Sequence, residues 1–232
     1  MTFKDDLKEL LNLDLSEDQE RQFSVYYHYL IEYNKITNLT RITDEKEVYY
    51  KHFFDSLTIT KSIDLSRIHS LCDMGSGAGF PSIPIKILYP HIDITIIDSL
   101  NKRVVFLSQL VEKLNLKGVT LVHDRIENYA QVHQESFDLV TARALGSMSL
   151  ISEMGIPMVK KDMYFLGLKA QNYEQELKDA ERGIRLLGGS IQGINYLNLP
   201  NGLGERTHIV IKKEKHVKGY PRSFALMSKK PL

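Results

Sequence analysis

Ile68-His69-Ser70-Leu71-Cys72-Asp73-Met74-Gly75-Ser76-Gly77-Ala78-Gly79-Phe80 is the stretch that decides the fold. A short apolar run breaks into glycines at alternating positions, and an apolar, proline-bearing segment from Pro81 to Leu88 then reads as a helix. Strand, Gly-rich turn and helix in that order open a nucleotide-binding βαβ unit. The glycines permit positive φ and a close approach of ligand to backbone, and the helix start offers unpaired N–H groups.

Two details separate the possible ligands. The spacing is G-x-G-x-G rather than the dinucleotide G-x-G-x-x-G, so a pyrophosphate is not matched. Asp73 stands two residues before the first glycine, where its charge opposes a pyrophosphate but suits a cation bearing an ammonium or sulfonium group. S-adenosylmethionine carries both. Ile92 to Asp98 then reads as a second strand, ending in a carboxylate twenty-three residues after Gly75, placed to accept from the two ribose hydroxyls. The residues thus singled out as cofactor contacts are Asp73, Gly75, Gly77 and Asp98.

Working outward, 232 residues with 43% hydrophobic and 25% charged suit one substantial α/β domain plus an extension. The single cysteine, Cys72, lies in the first strand and has no internal disulfide partner, as in a reducing compartment. The first residues, MTFKDDLKELLNL, lack the basic and apolar regions of a signal peptide, and no run approaches the ~18 apolar residues of a membrane span. A cytoplasmic protein, monomeric and without membrane partners, is expected. Net charge is +1, unevenly spread: from Lys212 to Leu232 it is +6, leaving −5 for the rest.

From Ser16 to about Leu39 the pattern is helical, with Ser16 and Gln19 spaced as a capping box. The crowded Tyr26, Tyr27, Tyr29 and Tyr33 read as helix packing rather than base stacking. A second capped segment begins at Thr43 or Asp44 and places His52 and Asp55 on one helix face. With Ser56 nearby this invites a hydrolase reading, but no G-x-S-x-G elbow is present, and a polar cluster setting the N-terminal helices over the cofactor site is the better account. Beyond the glycine loop, strands at Val119–His123, 137–142 and 163–168 alternate with helices, which predicts a doubly wound, mostly parallel sheet. Two further strand-like runs, 190–199 and 207–212, form a terminal hairpin unlike the second half of a dehydrogenase. Ligands of such sheets bind beyond the carboxyl ends of the strands, which directs attention to 73–80, Asp98, 124–127, Arg143 and Lys169. No Cys/His set has metal-ligand spacing.

The motifs Tyr33-Asn-Lys-Ile-Thr-Asn-Leu-Thr40, His52-Phe-Phe-Asp55-Ser56, Asp73 to Pro84, Asp98-Ser-Leu-Asn-Lys102-Arg103, Thr141-Ala-Arg143-Ala144, Gly204-Glu-Arg206 and Tyr220-Pro-Arg222 span nearly the whole chain. In them the sequence resembles the bacterial small-subunit rRNA guanine-N7 methyltransferase family, also called glucose-inhibited division protein B. The resemblance implies a Rossmann-like class I methyltransferase sheet with an N-terminal helical extension, S-adenosylmethionine as donor, and N7 of a guanosine in 16S rRNA as acceptor. Carried over by position, it implies cofactor contacts at Gly75, Phe80, Ile126, Glu127 and Arg143. Ser82 replaces the glycine usual in the family, and the tail 223–228 lacks the usual glycine and proline.

The expected divisions are a helical extension (1–62), a cofactor-binding domain (63–215) and a basic tail (216–232). Guanine N7 offers a lone pair and no proton, so positioning and electrostatics suffice and no acid or base is required. Asp55, Asp73 and Arg143 are the residues expected to position the reactants, a carboxylate also steadying the positive charge arriving on the base. Lys102, Arg103, Lys169, Lys218, Tyr220, Arg222, Lys229 and Lys230 are the expected RNA contacts. The competing readings are a methyltransferase on another acceptor and a non-catalytic RNA-binding module on the same scaffold; intact Asp73, glycine loop and Asp98 weigh against the second.

Overall fold

The computed structural model describes residues 2–170 and 173–232. Seven strands form one sheet: β1 (Ser70–Met74), β2 (Asp93–Asp98), β3 (Val119–His123), β4 (Phe137–Arg143), β5 (Val159–Lys169), β6 (Gly189–Asn198) and β7 (Glu205–Lys213). Their order is β3-β2-β1-β4-β5-β7-β6, and β1 to β5 run parallel. β7 is antiparallel to β5, and β6 to β7. The central strands β1 and β4 are buried almost throughout, as expected of strands covered on both faces.

Helices cover both faces. The long helix Glu17–Thr37 starts at Ser16, whose hydroxyl accepts from the Gln19 amide while the Gln19 side chain accepts from the Ser16 amide, the expected capping box. It ends at Asn38, whose positive φ of 48° stops the helix. The next segment begins on the Asp44 cap and runs through Glu45–Val48, a widened π-helical stretch Tyr49–Phe54, Asp55–Leu57 and the 3-10 turn Thr58–Lys61. With Ser82–Leu88 and Asn101–Lys113 these elements bury one sheet face. The other is covered by Ile126–Val132, Met148–Gly155 and Tyr173–Leu186.

The N-terminal helices share the sheet's own core rather than forming a separate one. Phe23, Tyr26, Leu30 and Phe53 are at most 1% exposed and belong to the cluster that includes Leu71, Ile83 and Leu107. Truncating Phe53 to alanine would cost about 3–5 kcal/mol through lost burial and the cavity left behind. The tyrosine cluster packs as expected: Tyr29 stacks on Phe106 with centroids 5.3 Å apart, and Tyr26 stacks on Phe80 at 5.4 Å. Among the described residues, no helix is long and apolar enough to cross a membrane.

Candidate active site

The turn after β1 is held by its glycines. Gly79 has φ +99°, and a Cβ there would lie 2.7 Å from the Ile83 side chain and 2.8 Å from the Tyr26 hydroxyl, so the helices Ser82–Leu88 and Glu17–Thr37 both pack directly on bare backbone. Tyr26 donates to the Ala78 carbonyl, tying the long helix to the turn. Gly77 differs: its φ is +62° and none of the described residues lies within 4 Å of where a Cβ would stand, which leaves open space over the backbone. The Gly75 amide is taken by the Ile97 carbonyl at 2.8 Å.

Asp73, at the end of β1, is fully buried. Its Oδ2 accepts from the Ser82 amide at 3.3 Å, whereas Oδ1 has no partner among the described residues. Burial pushes its carboxyl up to about 7. A buried acceptor left empty is costly in a native structure and marks a place for a donor. A cationic donor would supply both the hydrogen bond and the countercharge that holds the carboxyl ionised. Ser82 serves this site with its amide, which donates to Asp73, and its hydroxyl lies 3.5 Å from the Gly79 carbonyl.

Asp98 closes β2 beside this turn. Its Oδ1 accepts from the Leu100 amide at 2.9 Å and its Oδ2 from Arg103 at 3.2 Å. Each oxygen retains a second lone pair for a hydroxyl donor. Arg103, expected at RNA, is thus bound to the carboxylate expected to hold the ribose. At the end of β3, Ile126 and Glu127 open the helix Ile126–Val132 and are both largely buried; Arg125 donates from Nε to Glu127.

The polar cluster over the site centres on Asp55. Its Oδ2 accepts from Arg143 at 3.0 Å and its Oδ1 from Arg206 at 2.8 Å, joining the helical extension to the ends of β4 and β7. Arg143 also lies 5.0 Å over the Phe80 ring and donates toward His52 Nδ1 at 3.4 Å. Because a guanidinium can only donate, Nδ1 must be unprotonated, and Nε2 carries the hydrogen toward the Thr40 hydroxyl at 2.9 Å. Burial, then the Arg143 charge, lowers His52 to about 3, so the ring stays neutral. Thr40 is held by Asn34, which accepts from its amide and donates to its carbonyl, both at 2.9 Å. Phe80 lies between His52 and Tyr26, with centroids at 4.4 and 5.4 Å, so its faces are taken by protein. Ser56 is fully buried and donates to the His52 carbonyl, which removes the hydrolase reading.

A pocket of about 400 Å³ opens beside this cluster, walled by His52, Asp55, Arg143, Lys169, Arg206 and His208 among others. It lies at the carboxyl ends of β4 and β5, where the parallel topology places ligands.

Several expected assignments are revised by these contacts. Asp55 is engaged by two arginines, so it offers no net negative charge to a cationic base, and of its expected roles only positioning is compatible with these contacts. Lys169 is tied to Glu176 at 2.6 Å and to the Gly146 carbonyl at 2.5 Å. Arg222 is tied to Glu153, itself 1% exposed, by side-chain bonds of 2.6 Å to each carboxylate oxygen, and is an anchor for the tail rather than a free phosphate contact. Tyr220 is half-buried against the second core, with its carbonyl on Gln134. Lys102, Lys218, Lys229 and Lys230 remain exposed. Sequence reasoning gave no role to Arg206 or Thr40, although both lie in motifs it quoted, and read Tyr26 only as helix packing; the partners of Arg206 and Tyr26, Asp55 and Ala78, are far away along the chain.

A mostly parallel seven-stranded sheet with an antiparallel edge, a glycine turn after β1 and carboxylates ending β1 and β2 define a Rossmann-like S-adenosylmethionine-dependent methyltransferase. TYW2 from M. jannaschii, solved in complex with AdoMet, shares this fold with a TM-score of 0.52 at 12% identity, over 62% of this chain and 68% of that one. The family described as rRNA small subunit methyltransferase G matches residues 19–207. Ribosomal RNA small subunit methyltransferase G of Staphylococcus carnosus (strain TM300) is 45% identical over 225 residues, 95% of this chain and 94% of that protein. Its counterpart in Acholeplasma laidlawii (strain PG-8A) is 46% identical over 223 residues, 96% of each. The chain belongs to this family.

Proposed function

We propose that the protein transfers a methyl group from S-adenosylmethionine to N7 of a guanosine in 16S rRNA of the small ribosomal subunit, in the cytoplasm. The observation that carries this reading is the adjacency of two sites: a cofactor turn with an empty buried acceptor on Asp73, and a base-sized, cation-walled pocket joined to it through Arg143, His52 and Phe80. Family membership supplies the RNA.

Asp73 would receive the ammonium group, Gly77 the close approach of the cofactor along open backbone, and Asp98 the ribose hydroxyls, with Ile126 and Glu127 flanking the adenine. When bound, the cofactor supplies an electrophilic methyl on a sulfonium. The chain's part is to hold the base in line with it, and well-oriented intramolecular reactions gain on the order of 7–11 kcal/mol from such placement. Arg143, fixed by Asp55 and His52, would define the wall against which the base is set. Because His52 is neutral and pinned at both nitrogens, it adds no charge and takes no proton, as suits an acceptor that has none to give.

The test is transfer of labelled methyl to small subunits and to naked 16S rRNA from cells lacking this gene, with Asp98→Ala as control. Label on one guanine N7, lost in the variant, is expected. Cofactor binding without label on either RNA would refute the acceptor; no cofactor binding would leave an RNA-binding module.

A further inference from the structure

Beside the acceptor pocket lies a second groove of about 460 Å³, and the two share Ala170 and Arg206 as walls. It is formed where β6 ends and β7 starts, at the same end of the strands as the site, and Tyr196 is among its walls. Tyr196 is 68% exposed, so its ring contributes nothing to a core. It is nevertheless fixed: its hydroxyl is hydrogen-bonded to that of Tyr173, which is 6% exposed, and the rings stand 5.8 Å apart. An aromatic face held rigid and open to solvent is a stacking platform for an unpaired base.

The charge at the rim says which part of a nucleotide enters. Glu174 lines this groove, and a carboxylate repels a phosphate but accepts from the N–H groups of a base edge. Arg206, fixed on Asp55, separates this groove from the cationic acceptor pocket. An acceptor base drawn into that pocket leaves its neighbour on the strand unstacked and close by.

We propose that this groove is a second nucleotide subsite, in which the base next to the acceptor on the same RNA strand stacks on Tyr196. The subsite rests on the acceptor reading above and adds to it a requirement that the target be locally single-stranded over at least two nucleotides. Tyr196 would be a binding residue, remote from methyl transfer itself.

The test uses the full chain on small subunits lacking the modification. Tyr196→Ala should raise the KM for subunits about tenfold, the loss expected for one stacked base, with kcat and cofactor affinity unchanged; Tyr196→Phe, which keeps the ring but loses the hydroxyl bond that fixes it, should raise KM by less. A photoreactive phenylalanine analogue at position 196 should cross-link to the nucleotide adjoining the methylated one. An unchanged KM in Tyr196→Ala, or a cross-link elsewhere in the RNA, overturns the subsite alone, provided the wild-type chain methylates. A wild-type chain that methylates no small-subunit RNA overturns both readings.

Discussion

Asp55→Asn keeps the side chain's shape and removes its charge. The carboxylate is 7% exposed and takes Arg143 at 3.0 Å and Arg206 at 2.8 Å, whose side chains keep 18% and 20% of their surface. Removing one partner from a buried ion pair costs roughly 3–5 kcal/mol because the remaining charge is stranded. Here water still reaches both guanidinium groups, so the lower end applies, about 3 kcal/mol. For a chain of this size each kcal/mol moves Tm by about 2–4 °C, so a fall of about 6–12 °C is expected. Arg143 also loses the contact that fixes it in the pocket wall, so kcat for methyl transfer should fall more than cofactor affinity, which depends on Asp73 and Asp98. Thermal melting followed by circular dichroism, with single-turnover transfer and cofactor titration, reads all three. A Tm within about 2 °C of wild type and undiminished transfer would refute the account of Asp55 as the tie between the extension and the sheet.

Asp73, pushed up to about 7, binds a proton in the folded chain that the unfolded chain, at about 3.8, has lost; its contribution is full below that value and is lost as pH rises through 7. His52, lowered to about 3, works oppositely, losing stability as pH falls below about 6.5. Comparing the melting of wild type with Asp73→Asn from pH 4 to 8 isolates the first effect: the wild type's relative stability should decline with pH, while its cofactor affinity rises. Gly77→Ala should cost about 1–2 kcal/mol from positive φ and weaken cofactor binding in a titration, whereas Gly79→Ala, which meets Ile83 and Tyr26, should fail to give folded protein. Arg222→Ala should lower stability by roughly 3 kcal/mol in denaturant melts, by stranding Glu153, without altering the salt dependence of RNA binding. Exposed Lys229 and Lys230, changed together to Ala, should leave melting unchanged and reduce the log–log salt slope by up to about 2 if the tail touches phosphate.

The local part of the site was legible in the sequence because short-range physics writes it there. Alternating glycines, Asp73 and Asp98 mark strand ends whatever the rest of the chain does, and Ser16 with Gln19 announces the long helix three residues apart. What joins distant segments was not legible. Nothing in Arg206 names Asp55 as its partner, 151 residues earlier, and the charge on Arg222 looks the same whether it faces a phosphate or Glu153. The terminal hairpin was visible as two strands, but not that the later one, β7, lies inside and β6 takes the edge. The charge count misled at one position for the same reason: the basic total from Lys212 to Leu232 includes Lys213, yet this last residue of β7 is 2% exposed with Nζ on the Leu187 carbonyl.

The Arg143–Asp55–Arg206 junction also sets an order of events during synthesis. The helical extension and the first four strands leave the ribosome well before β7, so a growing chain can shape its glycine turn while Asp55 has only one of its two arginines. The pocket wall is complete only when β7, the last of the seven strands along the chain, has paired between β5 and β6. The wall of the pocket is thus a long-range construction: a chain cut before Arg206 would leave Asp55 with Arg143 alone, however well its glycine turn was formed.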